Sequence, residues 1–355
     1  MPCGAPLPSY HDLATELGVA MMTAKRGIDA LVAEGVVRRQ KGQGCFVNKE
    51  LSRAPRELEH VGVIYPSSRE SMYALPYVIE IMRGIAQKAP PQADTHLFSL
   101  RQDGLVRAAQ LGEWKISGVI LLEMGNDDYL RAFAQWGTPG VVVDYCSQDA
   151  PLDYVACDNR AAARQMVTHL AALGHRRVVY VAAPSPRVVA RPDNEEIPLM
   201  VRESSDTRER RDESVNALRE RDMLADVINI SQDDQWTGCL PDEMYRQICS
   251  GNGPTAVLTE SNYAVSLLLD DFARHGLRVP ADVSVCALAS DSDTSSDGRR
   301  LTGCRFDFVG MGCKAIDLLS ARCLEPVLDK PCVHRIGFKF MEGEMTKRVG
   351  ANQGA

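Results

Sequence analysis

Side chains that could bind nucleic acid stand close together near the N terminus of the chain. Lys25 and Arg26 are adjacent, and Lys41, Gly42 and Gln43 lie in a glycine-rich segment. Lysine and arginine neutralise backbone phosphates, while hydrogen-bonding side chains read base edges in the major groove. A basic cluster is by itself more often a solvated face, so the elements that carry these residues decide between the two interpretations.

The pattern of residues 7–47 predicts a winged helix that would carry these side chains. A short first helix ends at Gly18, a second begins at Val19, and strands at 36–40 and 45–47 form a hairpin. Two helices followed by a basic hairpin can place one helix in the major groove and the hairpin tip against phosphates. The candidate DNA-binding residues are His11, Thr23, Lys25, Arg26, Lys41, Gly42 and Gln43.

Apolar residues at helical spacing give each of these two helices a predicted packing face. Leu13 and Leu17 share one face of the first helix. Ile28, Leu31 and Val32 recur on one face of the second helix. The opposite face of the second helix is therefore predicted to be exposed and available to DNA.

The segment resembles the DNA-binding module of the GntR-type bacterial regulators. The residues that carry the resemblance are Leu7-Pro8-Ser9, Leu17-Gly18-Val19, Thr23, Lys25-Arg26, Ala30-Leu31, Glu34-Gly35 and Gly42-Gln43-Gly44. Their order and spacing are specific to such a module. The resemblance implies a DNA-binding domain over residues 1–48 and an operator as its partner.

The segment departs from the GntR pattern at two places. In that family a longer helix precedes the Leu-Pro-Ser motif, whereas here only residues 1–6 precede it, so the first helix is expected to be lacking through truncation or a wrong start codon. His11 replaces a frequent arginine, and Ala20 and Met21 replace a hydroxyl residue and an arginine. The operator sequence is therefore expected to be an uncommon one for the family.

Composition is that of a globular protein with an acidic bulk. The 355 residues are 45% hydrophobic and 25% charged, with a formal net charge of −7. DNA binding is therefore expected to be local to the small basic face. No long apolar run or secretory signal is present, so no membrane partner is expected. The 11 cysteines lack paired spacing, which predicts a reduced cytoplasmic protein without a metal or cofactor.

Beyond a polar linker at 49–60, strands and helices alternate. The predicted strands are 61–65, 117–122, 140–144, 178–182, 226–230, 256–259 and 284–288. The predicted helices are 77–89, 128–136, 160–173, 212–221, 242–250 and 264–275. Such alternation predicts an α/β fold with parallel sheets in two lobes, whose ligands bind where the carboxyl ends of the strands converge.

This larger region resembles the lac repressor and the periplasmic sugar-binding proteins. The resemblance is carried by residues 153–159, 169–178 and 276–285, and by Leu301-Thr302. It implies a two-lobed effector-binding and dimerisation domain over residues 61–345. Together with the winged helix, it implies a GntR-type regulator with a LacI-like effector domain, acting as a homodimer on a palindromic operator.

The resemblance also implies cleft residues. Arg210 stands where the family has an arginine that binds ligand hydroxyls, although an arginine at the surface is an equal alternative. Trp236 stands where the lac repressor has a tryptophan that stacks on its sugar, and a tryptophan in the core is the alternative. Asn262, Asp291 and Ser67 are further candidates. Phe306 and other departures from the family put a simple neutral sugar in doubt. The effector is expected to be a sugar or a sugar derivative.

Two features concern loops and caps. Residues 184–211 form a long polar connection, predicted to be disordered or to act as a lid. Asp158 and Asn159 are predicted to end a strand and cap the next helix, and His175 is predicted to be structural.

No nucleophile elbow, phosphate-binding loop or metal-spaced histidine pair is present, so an enzyme is not predicted. The chain is predicted to be a ligand-responsive repressor of a carbohydrate-related operon. The alternative is a solute-binding protein of the same two-lobed fold without DNA binding.

Overall fold

The computed structural model describes residues 5–33, 37–40, 42–47, 57–66, 76–100, 106–147, 149–182, 205–230, 240–290, 292–324 and 331–350. The helices are α1 Tyr10–Leu17, α2 Met21–Ala33, α3 Pro76–Lys88, α4 Ala108–Glu113, α5 Asp127–Ala134, α6 Asn159–Ala172, α7 Ser205–Arg219, α8 Asp242–Cys249, α9 Asn262–Arg274 and α10 Phe308–Leu324. None of them is long and apolar enough to cross a membrane.

Fourteen strands are described, in three sheets. They are β1 Val37–Gln40, β2 Gly44–Val47, β3 His60–Tyr65, β4 Asp94–Ser99, β5 Gly118–Leu122, β6 Gly140–Val143, β7 Asp153–Cys157, β8 Val178–Ala182, β9 Leu224–Asn229, β10 Ala256–Ser261, β11 Ser284–Ser290, β12 Gly303–Phe306, β13 Val333–Ile336 and β14 Phe338–Met341. The predicted α/β class with parallel sheets is confirmed.

The N-terminal helices and hairpin form as the sequence predicts, with shifted bounds. Ser9 caps α1 by accepting a hydrogen bond from the Asp12 N–H, and Gly18 ends it with φ 63°. Helix α2 begins at Met21 rather than at Val19. Strands β1 and β2 pair antiparallel, so a helix pair and hairpin are present.

The predicted packing face of α1 is wrong at one position. Leu17 is 65% exposed, whereas Ala14 is buried. The small core is made by Ala14 together with Ala24 and Ile28 of α2 and Val37 of β1. Residues 5–7 run in extended form beside β2, with the Leu7 N–H donating to the Cys45 carbonyl at 2.8 Å. The described residues before α1 thus add to the hairpin sheet.

Two six-stranded sheets form the two lobes. The first lobe has the order β4-β3-β5-β6-β7-β13 and is parallel throughout. The second has the order β9-β8-β10-β11-β12-β14, and its edge strand β14 is antiparallel to β12. The chain passes between the lobes after β7, β12 and β13. Leu58 is buried in the core of the first lobe, and β3 begins at His60.

The long connection predicted as a loop is partly helical. Residues 205–211 form the first two turns of α7, so the prediction of a loop through residue 211 is wrong there. Ser205 and Asp206 at the start of α7 are buried and accept hydrogen bonds from the Cys146 N–H and the Asn159 amide, so these contacts hold the polar end of the helix. Residues 184–204 lie outside the described residues.

Helices α3 and α10 pack backbone to backbone in the first lobe. A Cβ added at Gly84 would overlap the Val309 carbonyl oxygen, and one added at Gly312 would overlap the Ile81 carbonyl oxygen. The Cys313 thiol also donates to the Gly84 carbonyl at 3.4 Å. The two glycines therefore set the distance between these helices.

Gly84→Ala and Gly312→Ala are each expected to lower the free energy of unfolding by about 1–3 kcal/mol, because the added methyl meets backbone that cannot rotate away. Gly112→Ala in α4 is the matched control, since nothing lies within 4 Å of its added Cβ. It is expected to stabilise by about 0.5–1 kcal/mol. Urea denaturation measures all three; equal effects at the three positions would contradict the close packing.

Candidate functional site

The predicted DNA-contacting side chains that are described all lie at the surface. His11 on α1 is exposed, as are Thr23, Lys25 and Arg26 on α2 and the turn residue Gln43. Helix α2 instead buries Ala24 and Ile28, so its outer face is available to a ligand. Gly42 is exposed in the same turn, while Lys41 lies outside the described residues.

Arg39 of the hairpin contacts both helices of the winged helix. Its guanidinium forms an ion pair with Asp29 of α2 and donates to the Tyr10 hydroxyl of α1 at 3.2 Å. One arginine thus connects the hairpin to both helices. The sequence showed the charge of Arg39 but not this bridging role.

In the first lobe, four neighbouring strands end at a common edge. Tyr65 ends β3, Glu123 follows β5, Asp144 follows β6 and Cys157 ends β7. Glu123 and Asp144 adopt left-handed backbone conformations, with φ of 51° and 59°. Such conformations are uncommon outside glycine and concentrate at functional sites. The strand ends therefore direct acidic side chains toward one place.

Helix α7 of the second lobe brings Asp206 and Arg210 to this edge. Asn159, the first residue of α6, links them: its amide donates to Asp206 Oδ1 at 2.5 Å and accepts from Arg210 Nε at 2.9 Å. Glu260, near the end of β10, is buried, and its charge contributes to raising the pKa of Arg210. We call the group formed by Glu123, Asp144, Asp206, Arg210 and Glu260 the cleft cluster.

Protonation within the cleft cluster is shifted by burial and by like charges. Burial raises the pKa of Glu123 to about 7, against the opposing hydrogen bond from Tyr65. Burial, followed by the charge and hydrogen bond of Asp206, raises the pKa of Asp144 well above its usual value. Acidic groups thus retain protons here at a pH where exposed carboxyls have lost them.

Arg210 is a permanent cation inside this cluster. Burial alone would lower the pKa of Arg210, but Cys157, Asp206 and Asp144 raise it above its ordinary value. A guanidinium offers a planar fork of donors, and the carboxyls around it offer acceptors. The arrangement can bind a polar small molecule that both accepts and donates hydrogen bonds.

The predicted cleft residues fall into two groups. Arg210 is partly buried, and Asp206, Asp144 and Glu260 lie near it. Asn262 is the first residue of α9, two positions after Glu260. Ser67, Trp236 and Asp291 lie outside the described residues.

The sequence interpretation missed the carboxyls of the cleft cluster and the role of Asn159. Asp158 caps α6 as predicted, accepting from the Ala161 N–H at 3.1 Å, but Asn159 belongs to the cleft. An acidic residue directly after a buried apolar strand, as in Glu123 and Asp144, was the signal available. Phe306 is buried and packs on Phe308 and Phe338 where the chain crosses between lobes.

His175 lies away from the cleft cluster and has the structural role that its position predicts. It is 1% exposed, and its Nδ1 lies 2.8 Å from the Thr255 hydroxyl. Burial lowers the pKa of His175 to about 4, so the ring is neutral at neutral pH.

Comparison with known families assigns both parts of the chain. Residues 1–47 match the family of bacterial regulatory proteins called gntR. Residues 167–344 match the periplasmic binding protein-like domain, and residues 59–194 match the periplasmic binding proteins and sugar binding domain of the LacI family.

Individual proteins give the same pattern. The chain is 21% identical over 337 residues to the arabinose metabolism transcriptional repressor of Geobacillus stearothermophilus, covering 91% of this chain and 86% of that protein. It is 30% identical over 194 residues to the HTH-type transcriptional regulator GntR of Escherichia coli K12, covering 50% of this chain and 55% of that protein. The structure of the lac repressor dimer bound to operator and the anti-inducer ONPF is similar with a TM-score of 0.62 at 20% identity, covering 82% of this chain and 95% of that one.

Proposed function

The chain belongs to the bacterial transcription regulators in which a gntR-type DNA-binding domain accompanies a periplasmic binding protein-like domain of the LacI type. On this premise, we propose that it represses a carbohydrate-related operon in response to an effector bound in the cleft. A homodimer reading a palindromic operator in the cytoplasm is part of the proposal. A solute-binding protein without a DNA-binding domain is the alternative that the operator experiment tests.

The observation that carries the effector part of the proposal is Arg210 within the cleft cluster. Arg210 and Asp206 stand on α7 of the second lobe, and they face Asp144, which follows β6 of the first lobe. A ligand held by these groups contacts both lobes at once. Binding then favours one relative arrangement of the lobes, which is how a small molecule can bias a dimer that carries two DNA-binding domains.

The DNA part of the proposal rests on the exposed face of α2. Thr23, Lys25 and Arg26 are exposed there, while the buried face is occupied by Ala24 and Ile28. A helix with this distribution can enter the major groove with its polar side toward base edges. The effector and the operator would then bind to separate domains.

The proposed function is tested with DNA from upstream of the chain's own gene. We expect the full chain to retard that DNA, and we expect a carbohydrate either to release the DNA or to strengthen its binding. A chain that binds carbohydrate but never retards this DNA, even at low salt, would contradict a regulator and favour the solute-binding alternative.

Lys25→Ala is expected to weaken binding to the operator by about 1–3 kcal/mol if Lys25 reads a base edge. The same change should have a much smaller effect on DNA of random sequence. Lys115→Ala is the matched control, because Lys115 is an exposed lysine of the first lobe and should leave operator affinity unchanged. An equal loss on both DNAs would show that Lys25 contacts phosphate only.

A further inference from the structure

The cleft cluster contains more carboxyl groups than positive charges. Glu123, Asp144, Asp206 and Glu260 surround Arg210. Arg335 is another guanidinium in the described part of the chain that interacts with Asp206, but its two terminal nitrogens donate to Glu209, at 2.7 and 3.0 Å. Arg210 is therefore left facing several acids.

Hydrogen bonding within the protein does not satisfy the buried side chain of Asp144. Its side chain is 7% exposed, and its Oδ1 is buried without a hydrogen-bond partner among the described residues. A buried acceptor left in this state costs free energy, so such atoms are rare in folded proteins unless they serve a purpose. The Asp144 carboxyl also lies against Asp206, another acid, rather than against a base.

Three kinds of sugar ligand would meet this cluster differently. A sugar acid would bring a further negative charge to four carboxyl groups. A neutral sugar would offer hydroxyls that donate one hydrogen bond each. A protonated amine offers three donors and a positive charge, so it would satisfy Asp144 Oδ1 and offset the like charge of Asp206 at once.

We propose that Asp144 and Asp206 bind the ammonium group of the effector, which is therefore an amino sugar rather than a neutral sugar or a sugar acid. The inference rests on the proposed function, because it takes the cleft cluster as the effector site. Arg210, which Asn159 holds in place, would bind a hydroxyl of the same ligand.

Proton release provides a signature of this binding mode. Without ligand, burial and the neighbouring acids raise the pKa of Asp144, so its carboxyl holds a proton. An ammonium group supplies the positive charge instead, and that proton leaves to solvent. The ionisable groups that act on Asp144 from the packed elements are Tyr65, Glu123, Cys146, Cys157, Asp206 and Arg210.

The experiment uses the full chain and matched sets of sugars. D-Glucosamine, D-galactosamine and D-mannosamine are each compared by calorimetry with the corresponding neutral hexose and hexuronic acid, at a slightly acidic pH that keeps the amines charged. We expect one amine to bind at least tenfold more tightly than its neutral counterpart, and its acid counterpart not to bind. The heat of binding should differ between two buffers of different ionisation enthalpy, because a proton is released.

Asp144→Asn identifies the group responsible. It is expected to lower the affinity for the amine at least tenfold and to leave the affinity for the neutral sugar nearly unchanged. The thermal midpoint of the unliganded protein should stay the same or rise. Asp149→Asn is the matched control, because Asp149 lies in the same loop but is exposed beside Arg131. The preference among matched sugars and the buffer dependence are measured on the unaltered chain, so they decide the matter even if the variant fails to fold.

The outcomes separate this inference from the proposed function. Binding of a neutral or acidic member as tightly as the amine, binding of no member, or an unchanged preference in Asp144→Asn would overturn the amino-sugar assignment. Operator retardation is measured on the same samples. If a neutral sugar releases the operator, the proposed function stands and the amino-sugar inference fails. If an amine binds but the chain does not retard DNA, the amino-sugar inference stands and the proposed function fails.

Discussion

Replacing Arg210 by alanine is expected to abolish the response to effector and to lower the free energy of unfolding by about 3–5 kcal/mol at neutral pH. The guanidinium lies among Asp144, Asp206 and Glu260, and its Nε donates to Asn159 at 2.9 Å. Without it the buried acids repel one another. Ligand titration of the operator complex and urea denaturation measure the two effects.

The stability loss in Arg210→Ala should depend on pH in a defined direction. Carboxyls that lose their cation have a raised pKa in the folded state and take up protons there, so stability rises as the pH falls. The loss is therefore expected to be smaller at about pH 5 than at pH 7. Operator affinity should remain near that of the unaltered chain, because Arg210 lies outside the DNA-binding domain.

Two variants control for general damage to α7. Arg208→Ala removes an exposed arginine from the same helix and should change neither stability nor response. Arg210→Lys keeps the charge but loses the planar fork, so it should fold and still bind effector poorly. An Arg210→Ala protein that folds and responds with an unchanged midpoint would show that the cleft has been assigned to the wrong residues.

The alternation of strands and helices could be predicted because buried parallel strands are short continuous apolar runs. Gly118–Leu122 and Val178–Ala182 are of this kind and are fully buried. The strands that the sequence analysis missed are mixed in polarity or lie at sheet edges, such as Asp94–Ser99 and Val333–Ile336. Their stability comes from neighbours that are distant in the chain.

Helix α10 was missed for a different reason. Its sequence is apolar and contains two glycines, which argue locally against a helix. The helix forms nonetheless, and one of these glycines, Gly312, lets it approach α3 closely. Packing between elements far apart in the chain thus overrides local propensity, and periodicity within one segment cannot show it.

The cleft was only partly predictable. Arg210 was found through a resemblance, but its burial depends on the way α7 reaches the first lobe. Asp144 and Asp206 are far apart in the chain and meet only when the crossings between lobes bring them together. Each is unremarkable in its own segment, so their mutual effect on the pKa of Asp144 had no local signal.

Replacing Arg322 by alanine is expected to lower the free energy of unfolding by about 3–5 kcal/mol, because it leaves Asp153 charged and buried without its partner. Asp153 is 1% exposed and Arg322 14%. Two parallel hydrogen bonds of 2.5 and 2.8 Å join them, and the Cys332 N–H donates to Asp153 at 3.0 Å. This ion pair connects the end of α10 to β7.

In the unaltered chain, the Asp153–Arg322 pair and the carboxyls of the cleft cluster depend on pH in opposite directions, because the pKa of Asp153 is lowered whereas that of Asp144 is raised. Burial alone would raise the pKa of Asp153, but hydrogen bonds from Arg322 and Cys332 bring it below the usual value. The stability contributed by the pair is therefore present above the unfolded pKa of about 3.9 and is lost as the pH falls through the lower folded value. The difference between the unaltered chain and Arg322→Ala should shrink on acidification.

An exposed pair of the same geometry serves as the control for Arg322→Ala. Arg278 binds Asp282 through two hydrogen bonds of 3.0 Å, but its side chain is 75% exposed, so Arg278→Ala should change stability little. Asp153→Asn combined with Arg322→Ala should be less costly than Arg322→Ala alone, since the uncompensated charge is then removed. If Arg322→Ala and Arg278→Ala unfold at the same denaturant concentration, burial of Asp153 does not carry the free energy assigned to it.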